Sequence, residues 1–151
     1  MTLRFLLAVA AACLAMAGCG SDDNKSADQP AGEEAAVAAA VKRYLTAMGT
    51  LNPDGVCASL TVKGQRDLVA ASGATKRSCE EVLRLGFGLL QDDQKRLLAE
   101  QAGIEPYQIT IDGNRATGSL QYQGQVSQFE AQKVGGVWKL SSPGNQAVVA
   151  G

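Results

Sequence analysis

The spacing of apolar residues changes once along this chain, and that change constrains its fold more than any other feature. From Glu33 to Pro106, apolar side chains recur every three to four residues, as they do on one face of an α-helix. From Tyr107 onward they alternate with polar ones, as in a strand with one buried face. Helices followed by strands predict an α+β domain over residues 33–142, with N-terminal helices packed on a curled antiparallel meander.

Helix start signals mark the N-terminal half. The clearest helix is predicted over Glu33–Met48, where one stripe holds Val37, Val41, Tyr44, Leu45 and Met48. Further helices are predicted to begin after Asn52, after Thr61, after Ser78 with Glu81 as a capping box, and at Gln91 or Asp92. Their expected core residues are Val62, Leu68, Val69, Val82, Leu83 and Leu85. Phe87, between two glycines, is expected to turn into the core at a helix end.

Three short turns divide the C-terminal half into four strands. Asp112-Gly113-Asn114 is typical of a hairpin turn, and Gln123–Gln125 and Gly135-Gly136 supply the next two. Tight turns between successive strands predict an antiparallel meander. Because its apolar residues fall on one side, one face is expected to pack on the helices and the other to be partly exposed.

The first residues have the order of a secretory leader. Met1–Arg4 carries one positive charge, Phe5–Ala15 is apolar, and the small residues Met16-Ala17-Gly18 precede Cys19. The apolar run is shorter than the roughly 20 residues that a spanning helix needs. This segment resembles a bacterial lipoprotein signal, although Met16 stands where that pattern usually has leucine. The alternative is ordinary secretion with Cys19 as a plain thiol.

The lipoprotein resemblance implies how the chain is divided and where it resides. Residues 1–18 would be a signal peptide, Cys19 would carry the lipid, and residues 19–32 would be a flexible linker of polar and small side chains. Residues 143–151 are expected to be a disordered tail. The protein would then be held on the extracytoplasmic side of a cell membrane by its N-terminal lipid.

Two cysteines remain for the folded domain once Cys13 leaves with the leader and Cys19 is acylated. Cys57 and Cys79 are an even pair in an exported protein, which predicts a structural disulfide. A zinc site would need further ligands, and the chain has no histidine. The spacing is also far from the C-x-x-C of redox motifs.

Charge and residue types exclude several functions. The whole chain has a net charge of −1, and its cations are dispersed, so nucleic-acid binding is not expected. The absence of histidine removes imidazole-based catalysis. The acid pairs Glu80-Glu81 and Asp92-Asp93 fall at helix starts, where capping explains them. Neither a metal nor another cofactor is predicted.

The order of elements resembles the nuclear transport factor 2-like (SnoaL-like) superfamily. The features that carry this resemblance are the opening helix over Glu33–Met48, the segment Asp54–Leu60 with Cys57, the Ser78 helix, Asp112–Thr117 and Val134–Leu140. The resemblance implies a cone-shaped pocket between sheet and helices. The residues expected to line it are Tyr44, Phe87, Tyr107, Tyr122 and Trp138.

Two classes of function are compatible with this resemblance. The first is a non-catalytic module that binds an apolar small ligand or an envelope protein, or that forms a homodimer through its sheet. The second is an isomerase-like or dehydratase-like enzyme that uses a pocket tyrosine and a carboxylate, for which Glu130 and Asp112 are the strand-borne candidates. Glu130 is expected to face water, because Phe129 and Ala131 take the opposite face. The binding module is therefore the predicted function.

Overall fold

The computed structural model describes residues 32–144. The predicted signal peptide, the lipidated Cys19, nearly all of the predicted linker and most of the predicted tail lie outside these residues. Within them, no helix is both long enough and apolar enough to span a bilayer.

Five helices occupy the first part of the described chain, as the start signals predict. Their bounds are α1 Glu33–Gly49, α2 Pro53–Ser59, α3 Val62–Ala71, α4 Cys79–Leu89 and α5 Asp92–Gln101. The predicted caps are confirmed. The side chain of Asn52 accepts a bond from the Gly55 N–H at 3.1 Å, and Thr61 accepts one from Gly64 at 3.0 Å. Ser78 and Glu81 form both bonds of a capping box.

Two expected core residues face solvent instead, so their predicted burial is wrong. Val62 is 63% exposed and Leu85 is 50% exposed. On α3 it is Gly64 that faces the sheet, and a residue two positions away points to the other side of a helix. On α4 the buried residues are Cys79 and Leu83, so Leu85 is turned away for the same reason.

Four strands follow and pair in chain order, which confirms the antiparallel meander. They are β1 Tyr107–Asp112, β2 Arg115–Tyr122, β3 Gln125–Val134 and β4 Val137–Ser142. Helices precede a single antiparallel sheet, so the described domain is α+β, as predicted from the change of period.

A bulge in β1 moves Tyr107 to the outer face of the sheet. Gln108 has a φ of 52°, and the register shifts between Tyr107 and Thr110. Tyr107 pairs with Ser119, whereas Ile111 pairs with Ala116. Ser119 and Ala116 lie on opposite faces of β2, and paired residues share a face. Tyr107 is therefore on the face of the sheet that Ile111 does not occupy. Exposure along β1 alternates as predicted, but Tyr107 does not share the inner face.

The space between helices and sheet is filled by side chains. Phe129 of β3 is 0% exposed, and Leu45 of α1 and Leu140 of β4 are equally buried. The Phe129 ring lies over Gly118 of β2, where an added Cβ would come within 2.4 Å of the Phe129 Cζ. The centre of the sheet therefore requires a residue without a side chain opposite this ring.

The outer edge of β4 is partly covered by the link between α2 and α3. Leu60 forms a parallel bridge with Leu140, and the Thr61 N–H donates to the Leu140 carbonyl at 2.8 Å. Backbone groups alternate in direction along a strand, so the N–H and C=O of Trp138 also point toward this edge. The sheet edge beside Trp138 thus faces α1 and α2.

The predicted disulfide is present and lies inside the fold. Cys57 of α2 and Cys79 at the start of α4 are bonded, with their Cα atoms 6.1 Å apart. Cys57 is 1% exposed and Cys79 is 5% exposed. The bond therefore fixes α2 against α4 from within the core.

Candidate ligand-binding groove

An open groove of about 610 Å³ lies where α1 and α2 meet the edge of β4. Positions three to four residues apart on α1 supply one wall, because they share a face of that helix. α2 supplies the second wall, and residues 137–139 of β4 supply the third. The polar and charged lining residues are Lys42, Arg43, Thr46, Thr50, Asn52, Ser59 and Lys139.

The lining of this groove contains three basic residues and no acidic one. The Lys42 ammonium pairs with the Glu105 carboxylate at 2.6 Å. Arg43 reaches the backbone carbonyl of Trp138, with its Nη2 atom 3.4 Å from that oxygen. Over residues 32–144, neither Arg43 nor Lys139 forms an ion pair. Two cations from different elements are thus left uncompensated beside the groove.

Two of the three hydroxyl groups that line the groove already donate within the helices. Thr50 donates to the Thr46 carbonyl at 2.8 Å, and Ser59 donates to the Gly55 carbonyl at the same distance. Asn52 caps α2 through its side-chain oxygen. A ligand would therefore find its strongest hydrogen-bond donors on the cations.

Trp138 is the aromatic residue of the groove, and its ring is held in place by Glu33. The indole Nε1 donates to the Glu33 Oε2 at 2.8 Å, and Lys133 Nζ donates to the other carboxylate oxygen at 2.6 Å. The Lys133 ammonium also lies 5.8 Å from the centre of the indole ring. Hydrogen bonds from Lys133 and then Trp138 lower the pKa of Glu33 below its ordinary value of 4.5.

This lowered pKa predicts an acid-dependent loss of stability. A carboxyl with a lower pKa in the folded state stabilises the protein above its unfolded pKa, and that stabilisation disappears as the pH falls through the folded pKa. We expect urea unfolding, followed by Trp138 fluorescence, to show a decreasing free energy of unfolding below about pH 4.5. Glu33→Gln should flatten this dependence.

Glu34→Gln is the matched control for the Glu33 prediction. Glu34 is the next residue of α1, and its side chain makes no hydrogen bond or ion pair to another residue within 32–144. We expect Glu34→Gln to retain the pH dependence of the parent chain. An identical acid dependence in the parent chain and in Glu33→Gln would contradict the assignment to Glu33.

The structure does not bring the five predicted pocket residues together. Trp138 lines the groove, but Tyr44 is buried in the core, where burial raises its pKa to about 12. Phe87 packs against the core from α4, while Tyr107 lies on the outer face of the sheet. The Tyr122 hydroxyl donates to the Glu100 carboxylate at 3.0 Å, at the surface.

The residue types required by the enzymatic alternative are dispersed in the described domain. Glu130 and Asp112 are both exposed, as expected for Glu130 from its strand position. Tyr122 and Glu100 are in contact, but that contact lies outside the groove. Between residues 32 and 144, no three His, Cys, Asp or Glu side chains are close enough together to hold a metal ion.

Sequence reasoning did not identify the basic side chains of the groove. In the sequence, the adjacent Lys42 and Arg43 are two of the dispersed cations and look like any solvated pair on a helix. Lys139 is almost a hundred residues further along the chain. Only the packing of α1 against β4 places these cations beside one groove, so no local pattern could have indicated it.

Comparisons with protein-family models, with curated proteins and with solved structures give no match. The α+β fold class therefore rests on the structure itself. The function has to be argued from the groove and from the chemistry of the residues around it.

Proposed function

We propose that this chain is a lipid-anchored extracytoplasmic lipoprotein whose domain binds a small ligand in the groove between α1, α2 and β4, without catalysing a reaction. The observation that carries the binding part is the groove itself. Its volume of about 610 Å³ is within the range of about 300–1,000 Å³ typical of small-molecule sites. The order of five helices and a four-stranded meander supports the proposed relation to nuclear transport factor 2-like domains.

The proposed location draws its support from the leader and the disulfide. A charged start, an apolar run and a small-residue exit precede Cys19. The buried bond between Cys57 and Cys79 fits an oxidising compartment, because disulfides persist outside the cytosol. Both observations favour export, and a lipid on Cys19 would retain the exported domain at the membrane.

The groove favours ligand binding over the two other proposals for this domain. An isomerase-like reaction would need a tyrosine and a carboxylate facing one pocket, and the groove lining contains neither. A homodimer through the sheet would use its outer face, where Thr117, Gln128, Glu130 and Gln132 are exposed polar residues. The core of an interface is usually depleted of charged residues and richer in aromatic ones.

The lipid anchor predicts a specific mass change at Cys19. Mass spectrometry of the exported protein should show a chain that begins at Cys19 and carries acyl groups. Cys19→Ser should remove the acyl mass, whereas Cys13→Ser should not, because Cys13 would leave with the leader. A mature chain with a free Cys19 thiol, or one that retains the leader, would contradict the lipid proposal.

Binding in the groove predicts that a bulky side chain on its wall will block ligands. Compounds that raise the melting temperature of the mature chain by mass action should lose that effect in Ala58→Phe, because exposed Ala58 lines the groove on α2. Ala35→Phe adds the same ring at an exposed position of α1 that is not part of the lining. Equal shifts in both variants would place binding elsewhere.

A further inference from the structure

We propose that the ligand of this groove is a small amphipathic anion, with a carboxylate or phosphate group and a short apolar body. The inference rests on the proposed function and adds the chemical class of the ligand. Arg43 would bind the anionic group. Lys139 pairs with Gln132 and therefore lies on the outer face of the sheet, from which it would add to the attraction. The exposed side chains of Ala39, Ala58 and Val137 would contact the apolar part.

The positive charge around the groove favours an anionic ligand. Residues 32–144 contain equal numbers of acidic and basic side chains, so the domain as a whole is not cationic. The groove lining nevertheless has one sign only, with Lys42, Arg43 and Lys139. Lys42 is neutralised by Glu105, while the other two cations have no acidic partner within the described domain. A ligand that brings its own negative charge would complete these pairs.

Arg43 is the residue best placed to recognise the anionic group. Its present contact is one bond of 3.4 Å to the Trp138 carbonyl, which is long for a hydrogen bond. A guanidinium has five N–H donors in a planar fork, so most of them remain for a ligand. Carboxylate and phosphate oxygens match this fork in pairs, and such charge-assisted bonds are stronger than neutral ones.

The remainder of the lining favours an apolar body on the same ligand. Ala39, Ala58 and Val137 contribute exposed side chains without charge, whereas Ala47 and Trp138 are buried at the groove. The hydroxyl hydrogens of Thr50 and Ser59 are directed to helix carbonyls, so the neutral side-chain donors left for a ligand are the Thr46 hydroxyl and the Asn52 amide. A carboxylate or phosphate on a short hydrocarbon satisfies both parts of the lining.

The test uses residues 19–151, with Cys19→Ser so that no lipid is added and with the disulfide intact. Trp138 is the single tryptophan and lines the groove, so its fluorescence reports on the site directly. Hexanoate, hexyl phosphate, hexanol and hexylammonium are titrated in turn. We expect both anions to bind at least about tenfold more tightly than hexanol, with affinity that falls as salt is added.

Substitution of the basic residues distinguishes recognition of the charged group from nonspecific apolar binding. Arg43→Gln should weaken hexanoate and hexyl phosphate by about tenfold or more while leaving hexanol unchanged. Lys139→Gln provides a second test should Arg43→Gln unfold. Arg84→Gln, which removes an exposed cation of α4 outside the groove, should change none of the affinities.

Two outcomes would overturn the inference in distinguishable ways. Equal affinity for hexanol and hexanoate would show a site for apolar ligands, so the proposed function would stand and the anionic class would fail. If none of the four probes bound, and if Ala58→Phe abolished the melting-temperature shift of no compound, the groove would not be a binding site.

A third titration identifies the source of the anion. Vesicles of phosphatidylglycerol that bind through Arg43 would indicate a lipid headgroup, with phosphatidylcholine vesicles as the control. Binding of hexanoate or hexyl phosphate without such vesicle binding would indicate a soluble acid. Either result supports the anionic class.

Discussion

Phe129→Ala is expected to lower the free energy of unfolding by about 3–5 kcal/mol, because it removes a fully buried ring from the centre of the core. The ring lies over Gly118 on the neighbouring strand. Phe129 belongs to a core cluster with buried residues from both the helices and the sheet, so collapse of the surrounding structure into the vacated space is limited. Urea unfolding with Trp138 fluorescence measures the loss.

Gly118→Ala should also destabilise the domain, by about 1–3 kcal/mol, for the opposite reason. Its new Cβ would lie 2.4 Å from the Phe129 Cζ and 2.6 Å from the Cε1, so the ring would have to move. Once Phe129 has been shortened to alanine, the same methyl group enters vacated space. The two substitutions should therefore be strongly coupled in a double-mutant cycle.

Gly86→Ala is the matched control for this cycle. Gly86 lies within α4, and an added Cβ would meet no atom within 4 Å. Because alanine favours the helix, we expect this substitution to stabilise the domain by about 0.5–1 kcal/mol. Simple additivity of Gly118→Ala and Phe129→Ala would show that the contact between ring and backbone is not the cause of either loss.

The fold class could be predicted from the sequence because its signals are local. The stripe of α1, the caps at Asn52, Thr61 and Ser78, and the glycine turns all depend on residues a few positions apart. The disulfide could be predicted because the leader reduced four cysteines to two candidates. These inferences needed no knowledge of how the layers pack.

The candidate site could not be predicted because it depends on tertiary placement. Lys42 and Arg43 have the same local pattern as any exposed helical cations, and only the edge of β4 makes them part of a groove. The face of Tyr107 depends on the bulge at Gln108, which alternation alone does not reveal. Tyr44 was predicted to line a pocket, but it fills the core instead. The size and polarity of a tyrosine side chain do not reveal whether it packs in the core or lines a pocket.

Removal of the disulfide is the second substitution expected to have a large effect. The bond closes a loop with a sequence separation of 22, so the double variant Cys57→Ala/Cys79→Ala should lose about 3 kcal/mol of stability. In the chain-entropy account, this loss arises because the unfolded chain regains the freedom that the loop removed. Urea unfolding of the oxidised parent chain and of the double variant gives the difference.

The burial of both cysteines also determines how the bond should respond to a reductant. Because Cys57 is 1% exposed and Cys79 is 5% exposed, a thiolate cannot reach either sulfur until the core around α2 and α4 opens. Reduction by dithiothreitol should therefore be slow in buffer and accelerate in urea. The destabilising Phe129→Ala variant should be reduced faster than the parent chain, since opening is more frequent. Rapid reduction of the native parent chain, at a rate that Phe129→Ala does not change, would indicate that the bond is accessible to reagents in the folded state rather than locked in the core.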